Sequence, residues 1–139
     1  MAIINMTPFV LNAKGGTLTD KQLMLNTLIP IRLKGEANNR DHWAKKYSRQ
    51  KKHQQRIKME WLLLKPKITL PCEIHLTRHA VKNMDYDNLV YTFKYVVDAI
   101  ADLITPGLAP GQADSNPKMK WHYHQKRGHN YAIQIEIYG

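Results

Sequence analysis

One cysteine, Cys72, is all this 139-residue chain contains, so an internal disulfide and a cysteine-based zinc site are both excluded. It lies at the start of an apolar, strand-like run and reads as a buried structural thiol rather than a nucleophile. No apolar stretch approaches the roughly 20 residues of a membrane helix, and no charged start with an apolar core marks a signal peptide, so a soluble, cytoplasmic protein with no membrane partner is expected. Acid is scarce as well. Eleven Asp and Glu stand against 21 Lys and Arg, a formal net charge of +10, which points to a polyanionic partner, most simply nucleic acid. Gly15-Gly16 and Pro110-Gly111 do not have the spacing of a phosphate-cradling loop, and no organic cofactor is expected. There is no internal repeat.

What is present suits one compact domain, since 43% hydrophobic content in this length fills one core and not two. Residues 1–27 read as an N-terminal arm, with Thr19-Asp20-Lys21-Gln22 in the form of a capping box for a short helix through Leu23 and Leu25. Residues 28–139 form the domain. A first strand is expected over 28–34, where Ile29, Ile31 and Leu33 alternate behind Pro30. Residues 38–64 lack proline and glycine, and Trp43, Tyr47, Ile57, Trp61 and Leu64 recur at helical spacing, with Gln50 and Gln54 interrupting the stripe. That helix ends at Pro66, with Trp43 and Tyr47 expected toward the core.

Ile74 and Leu76 alternate with His75 and Thr77 in a second strand over 72–80. The clearest helix spans 88–104, its apolar side built from Leu89, Phe93, Val96, Val97, Ile100, Leu103 and Ile104, and it is stopped by Pro106-Gly107. Two strands, 118–124 and 131–138, close the chain as a hairpin turning at Lys126-Arg127-Gly128. The predicted fold is therefore α/β in the α+β sense: a single domain in β-α-β-α-β-β order, with a mixed sheet packed against two helices.

The scarce acids are concentrated. Asp85 and Asp87 stand two apart at the junction between the second strand and the second helix, where an extended backbone turns both carboxylates to one side. Bare carboxylates repel a phosphodiester, so their place in a basic chain makes chemical sense when a divalent cation lies between them and the phosphate. Oxygen-only ligands favour Mg²⁺, with Mn²⁺ able to substitute. On a continuous helix, Lys94 and Asp98 share a polar face with Asp87, so the Lys94 ammonium could approach the metal site, and Asp114 in the later loop could add a third carboxylate. The plainer reading is that aspartates at a helix start are caps and that Lys94 with Asp98 is an ordinary i,i+4 pair.

Basic residues surround this knot. Arg40, Lys45, Lys46, Arg49, Lys52 and Arg56 on the first helix, with Lys120, Lys126 and Arg127 near the end of the chain, are the candidate DNA contacts. His122 and His124 share one strand face and could hold a metal, but the sequence offers them no clear third ligand.

Asp85-Tyr86-Asp87-Asn88-Leu89, then Phe93-Lys94, Asp98-Ala99 and Ala113-Asp114-Ser115, preceded by the basic segment from Asn38-Asn39-Arg40-Asp41-His42-Trp43, resemble the RusA-type Holliday-junction resolvases and their phage relatives. The resemblance implies a homodimeric, Mg²⁺-dependent endodeoxyribonuclease that nicks four-way or other branched DNA symmetrically, in a bacterial or phage-infected cell. It would use three aspartates and a lysine, which by position look like Asp85, Asp87, Asp114 and Lys94. The sequence departs from the pattern in a longer gap between Asp87 and Lys94 than in the cellular resolvase, in Ala113 where relatives often carry aspartate, and in an N-terminal arm with no counterpart. A flap or single-strand nuclease on the same scaffold and a non-catalytic DNA-binding protein are the alternatives.

Overall fold

The structure, a computed structural model, describes residues 21–35, 42–107 and 115–139. Its elements are β1 (Leu23–Ile29), α1 (Trp43–Leu64), β2 (Cys72–Ala80), α2 (Tyr86–Thr92), α3 (Lys94–Ile104), β3 (Met119–Arg127) and β4 (Ala132–Tyr138). The four strands form one mixed sheet in the order β1-β4-β2-β3, with β2 parallel to β3 and antiparallel to β4. A parallel pair needs a long crossover, and α2 with α3 supplies it. No helix among the described residues is long and apolar enough to cross a membrane.

Alternation along the strands sorts side chains onto two faces. Ile74 and Leu76 of β2, Ile133, Ile135 and Ile137 of β4, and Ile29 of β1 are buried under Leu89, Phe93, Val96, Val97 and Ile100 of the crossover helices. Cys72 joins this core as the expected buried thiol. On the other face, β2 presents Glu73, His75, Thr77 and His79 beside Lys120, His122, His124 and Lys126 of β3.

Several expectations are corrected. Residues from Leu23 form a strand, not a helix, because pairing with β4 through Ile29↔Ile133 and Thr27↔Ile135 satisfies their backbone groups across the sheet. Part of the supposed arm therefore belongs to the sheet, while residues 1–20 lie outside the described chain. Pairing stops at Ile29, before the proline that has no N–H, and the Ile31 N–H donates to the Ile29 carbonyl at 2.8 Å. Ile31 and Leu33 remain buried, as their alternation predicted.

The last two strands are not a hairpin. β2 lies between them, and the connection steps over its end, where the Gly128 N–H donates to the Ala80 carbonyl at 2.9 Å. The second helix is divided at Phe93, whose ψ of −8° departs from the about −42° of a regular helix. The sheet thus carries three helical segments rather than two.

α1 starts at a His42 cap, whose Nδ1 accepts from the Ala44 N–H at 3.2 Å, and ends at Lys65 in a left-handed conformation before Pro66. It rests on α3 along a narrow strip. His53 meets the Tyr95 hydroxyl at 2.7 Å, and Gln54 donates to the Tyr95 carbonyl at 2.9 Å. Gln54, which interrupts the apolar stripe, is thus an anchor. Trp43 and Tyr47 are 74% and 61% exposed, not core-facing, because the first two turns of α1 bury nothing.

Candidate functional site

The loop after β2 that carries Asp85 is held by two side chains. Arg78, on the core face of β2, is 92% buried and donates from Nε to the Leu33 carbonyl at 3.1 Å and from Nη1 to the Lys82 carbonyl at 2.8 Å. Burial pushes its pKa down, and the two carbonyls receive the charge that solvent no longer sees. Gln125 of β3 turns its amide onto Met84, accepting the Met84 N–H at 2.8 Å and donating to the Met84 carbonyl at 2.6 Å. Both backbone groups preceding Asp85 are therefore fixed by one side chain.

Asp85 is the cap of α2, its Oδ2 accepting the Asn88 N–H at 3.2 Å, and Asp87 lies in the first turn. Both carboxylates are exposed and neither pairs with a cation among the described residues. Asn88 accepts from the Thr92 hydroxyl and packs so closely under Gly35 that a Cβ there would meet its amide nitrogen at 3.0 Å. The segment after β1 thus passes directly by the acidic motif at Gly35.

The other candidates divide. Lys94 donates to Asp98 at 3.0 Å, directing its ammonium one turn further along α3 rather than back to Asp87. Asp114 and Arg40 lie outside the described residues. The chain that follows Asp114 enters β3 beside Cys72, at the opposite end of β2 from Asp85. Lys45, Arg49 and Lys52 line an open recess of about 470 Å³ with Lys34, Ser48 and His53, and Lys46 stands on the same helix. Arg56 is engaged with Glu60 at 3.0 Å, and Glu60 also accepts from Thr27, so this arginine helps to join α1 to β1. Lys120 and Lys126 point to the open face of the sheet, while Arg127 alternates onto the face of Gln125, at the end nearest the acidic loop.

Sequence reasoning missed a second constellation on that open face. Parallel register sets His75 directly beside His122, their rings stacked with centroids 4.3 Å apart, and Glu73 brings its carboxylate to 3.9 Å from His75 Nε2 and 3.8 Å from His122 Nε2. β2 thus gives His122 two potential co-ligands that its own strand does not supply, while His124 lies outside this group, its Nε2 2.9 Å from His75 Nδ1. Lys21 pairs with Glu73 and holds its carboxyl below the usual range. His75 is lowered to about 4, chiefly by burial and then by His122 and His124, so it is neutral at physiological pH. His124 is lowered too, first by burial. Glu73-x-His75 and His122-x-His124 were visible patterns, but only register joins them.

No family model, curated protein or solved structure matches this chain.

Proposed function

We propose that this chain is a metal-dependent endodeoxyribonuclease of the RusA type, acting as a homodimer on four-way or other branched DNA in the cytoplasm of a bacterial or phage-infected cell. The observation that carries this reading is a pair of exposed carboxylates, Asp85 and Asp87, without cationic partners among the described residues and fixed at a strand-to-helix junction of a chain with net charge +10. The all-oxygen donor set fits Mg²⁺ or Mn²⁺.

Asp85 and Asp87 would hold the ion; Asp114 is proposed as a third ligand on the resemblance alone, since the chain after it enters β3 at the end of β2 away from Asp85. When bound, such an ion lowers the pKa of water and neutralises the non-bridging oxygens of the phosphodiester. Arg78 and Gln125 keep the loop in place, so the carboxylates do not reorganise when DNA arrives. Lys45, Lys46, Arg49 and Lys52 receive flanking phosphates, and Arg127 lies near enough to the loop to steer the backbone toward it. A two-fold dimer would present one such site to each of two strands. Lys94 serves the reaction in this proposal by electrostatics, after leaving Asp98.

Incubating the protein with labelled four-way junction, flap and plain duplex, each with Mg²⁺, Mn²⁺ or EDTA, tests the proposal. Paired symmetric nicks in the junction with either ion, and none in EDTA, are expected. The exposure of Trp43 and Tyr47 beside cations favours a second reading, in which unpaired bases stack on α1 and a flap or single strand is the substrate. Cleavage mainly of the flap would select that reading. Binding without cleavage under any metal would leave a non-catalytic DNA-binding protein.

Gln125→Glu provides a separate test of the loop clamp. The carboxylate still accepts the Met84 N–H but sets a negative oxygen against the Met84 carbonyl, at a cost of about 1–3 kcal/mol. Cleavage is expected to fall about 10- to 100-fold, the usual consequence of disturbing the support of metal ligands, and half-maximal activity should require more Mg²⁺. A lowered melting temperature with unchanged Mg²⁺ dependence would remove the positioning role from Gln125.

A further inference from the structure

We infer that Glu73, His75 and His122 form a transition-metal site of the zinc class, separate from the acidic loop, that ties the edge strand β3 to β2. One ligand atom from each residue lies within 4.8 Å of the others. His75 Nε2 and His122 Nε2 are both buried without a hydrogen-bond partner. Buried polar nitrogens are nearly always satisfied, so two orphans aimed at one carboxylate call for a missing partner, and a cation that accepts all three lone pairs supplies it. Two imidazoles and a carboxylate are the donors of a Zn²⁺ site with one position left to water, and they exclude Mg²⁺, which takes oxygen.

The surrounding shell agrees. His75 Nδ1 lies 2.9 Å from His124 Nε2. In the tautomer where Nδ1–H donates to His124, His75 Nε2 keeps its lone pair, and a metal-bound histidine characteristically donates its other ring N–H in this way. The three atoms are further apart than a ligand set at about 2.0–2.1 Å from one ion, so binding requires the two rings to turn about χ2, a soft torsion. A cavity of about 310 Å³ lined by Lys21, Glu73, Lys118, Lys120 and Tyr138 opens beside the carboxylate, so Glu73 is reached from solvent. Lys21, paired with Glu73, holds the place of the cation and must leave when the metal enters.

The whole chain, stripped with EDTA and dialysed, should be titrated with Zn²⁺ against a chromophoric chelator, with melting temperature followed in parallel. One tightly bound zinc per chain is expected, with a rise in melting temperature that Mg²⁺ does not give. His122→Ala and Glu73→Gln should each weaken binding more than about tenfold, while His79→Ala, on the same sheet face but bonded to Gln134, should not. Lys21→Gln should tighten binding by removing the competing ammonium. Co²⁺ should give the visible bands of a tetrahedral site in the parent and not in His122→Ala, an observation that stands apart from any loss of folding.

Asp87→Asn should bind zinc as the parent does, so the outcome is independent of the nuclease reading. Fewer than one zinc per chain, or equal affinity in the parent, His122→Ala and Glu73→Gln, would overturn the inference.

Discussion

Asp87→Asn is expected to reduce Mg²⁺-dependent cleavage at least about a hundredfold, the upper range seen when only the support of a metal ligand is removed. The fold should be almost indifferent to the change. Asp87 is exposed, accepts no hydrogen bond that caps α2, and pairs with no cation among the described residues; the cap is Asp85. All that the fold loses is the mild attraction of a carboxylate for the start of a helix, which salt screens. DNA binding measured in EDTA should be unchanged or slightly tighter, because one negative charge has gone from a surface that meets phosphate. Asp85→Asn behaves as its partner experiment: asparagine caps a helix nearly as well, so stability is again retained while a ligand charge is lost. Loss of cleavage with retained melting temperature and DNA binding would assign these residues to the chemistry. Full activity in Asp87→Asn would leave them as ordinary helix-start residues and end the proposed mechanism.

The parts of this molecule legible in the sequence are those set by local period. β2 announces itself through Ile74 and Leu76, and α3 through Val96, Val97 and Ile100, because each buries a face that recurs within the element. Long-range pairing carries no such mark. Thr19 to Gln22 has the capping chemistry of a helix start, yet β4 offers Leu23–Ile29 a ladder interrupted only by an irregularity between Leu23 and Leu25. Sequential strands usually pair, which made a hairpin of β3 and β4, and nothing local says that β2 inserts between them.

The same division runs through the sites. Asp85 and Asp87 stand two apart, so their pairing is legible in the chain itself, whereas Gln125 clamps Met84 across 41 positions and no local pattern marks that contact. Period places Trp43 and Tyr47 on one side of α1 but does not say that both stay largely exposed there. Glu73, His75 and His122 needed the parallel register that only the folded sheet supplies.

Phe93→Ala is expected to destabilise the domain by about 3–5 kcal/mol, the range for a fully buried phenylalanine, out of a total of about 5–15 for a protein of this kind. Phe93 has no exposed surface. Its ring packs toward Tyr123 of β3 at 5.8 Å between centroids, inside the cluster that joins the crossover helices to the sheet. The deleted ring leaves a cavity that Leu89, Val96 and Val97 of the same core cannot fill, since they are already buried on the two crossover helices. Phe93 is also the hinge of the crossover: its N–H donates to Leu89 at 3.0 Å and its carbonyl accepts from Val97 at 2.8 Å, so one residue carries the ladder across the irregular turn. Upstream of it lie Asp85 and Asp87, downstream Lys94. Urea unfolding should show a lower midpoint with an unchanged slope, and Phe93→Leu should lose much less because most of the volume remains. If the two variants lose stability equally, the filled volume is not what matters, and the backbone of the turn, rather than the ring, holds the acidic motif and Lys94 in their relative positions.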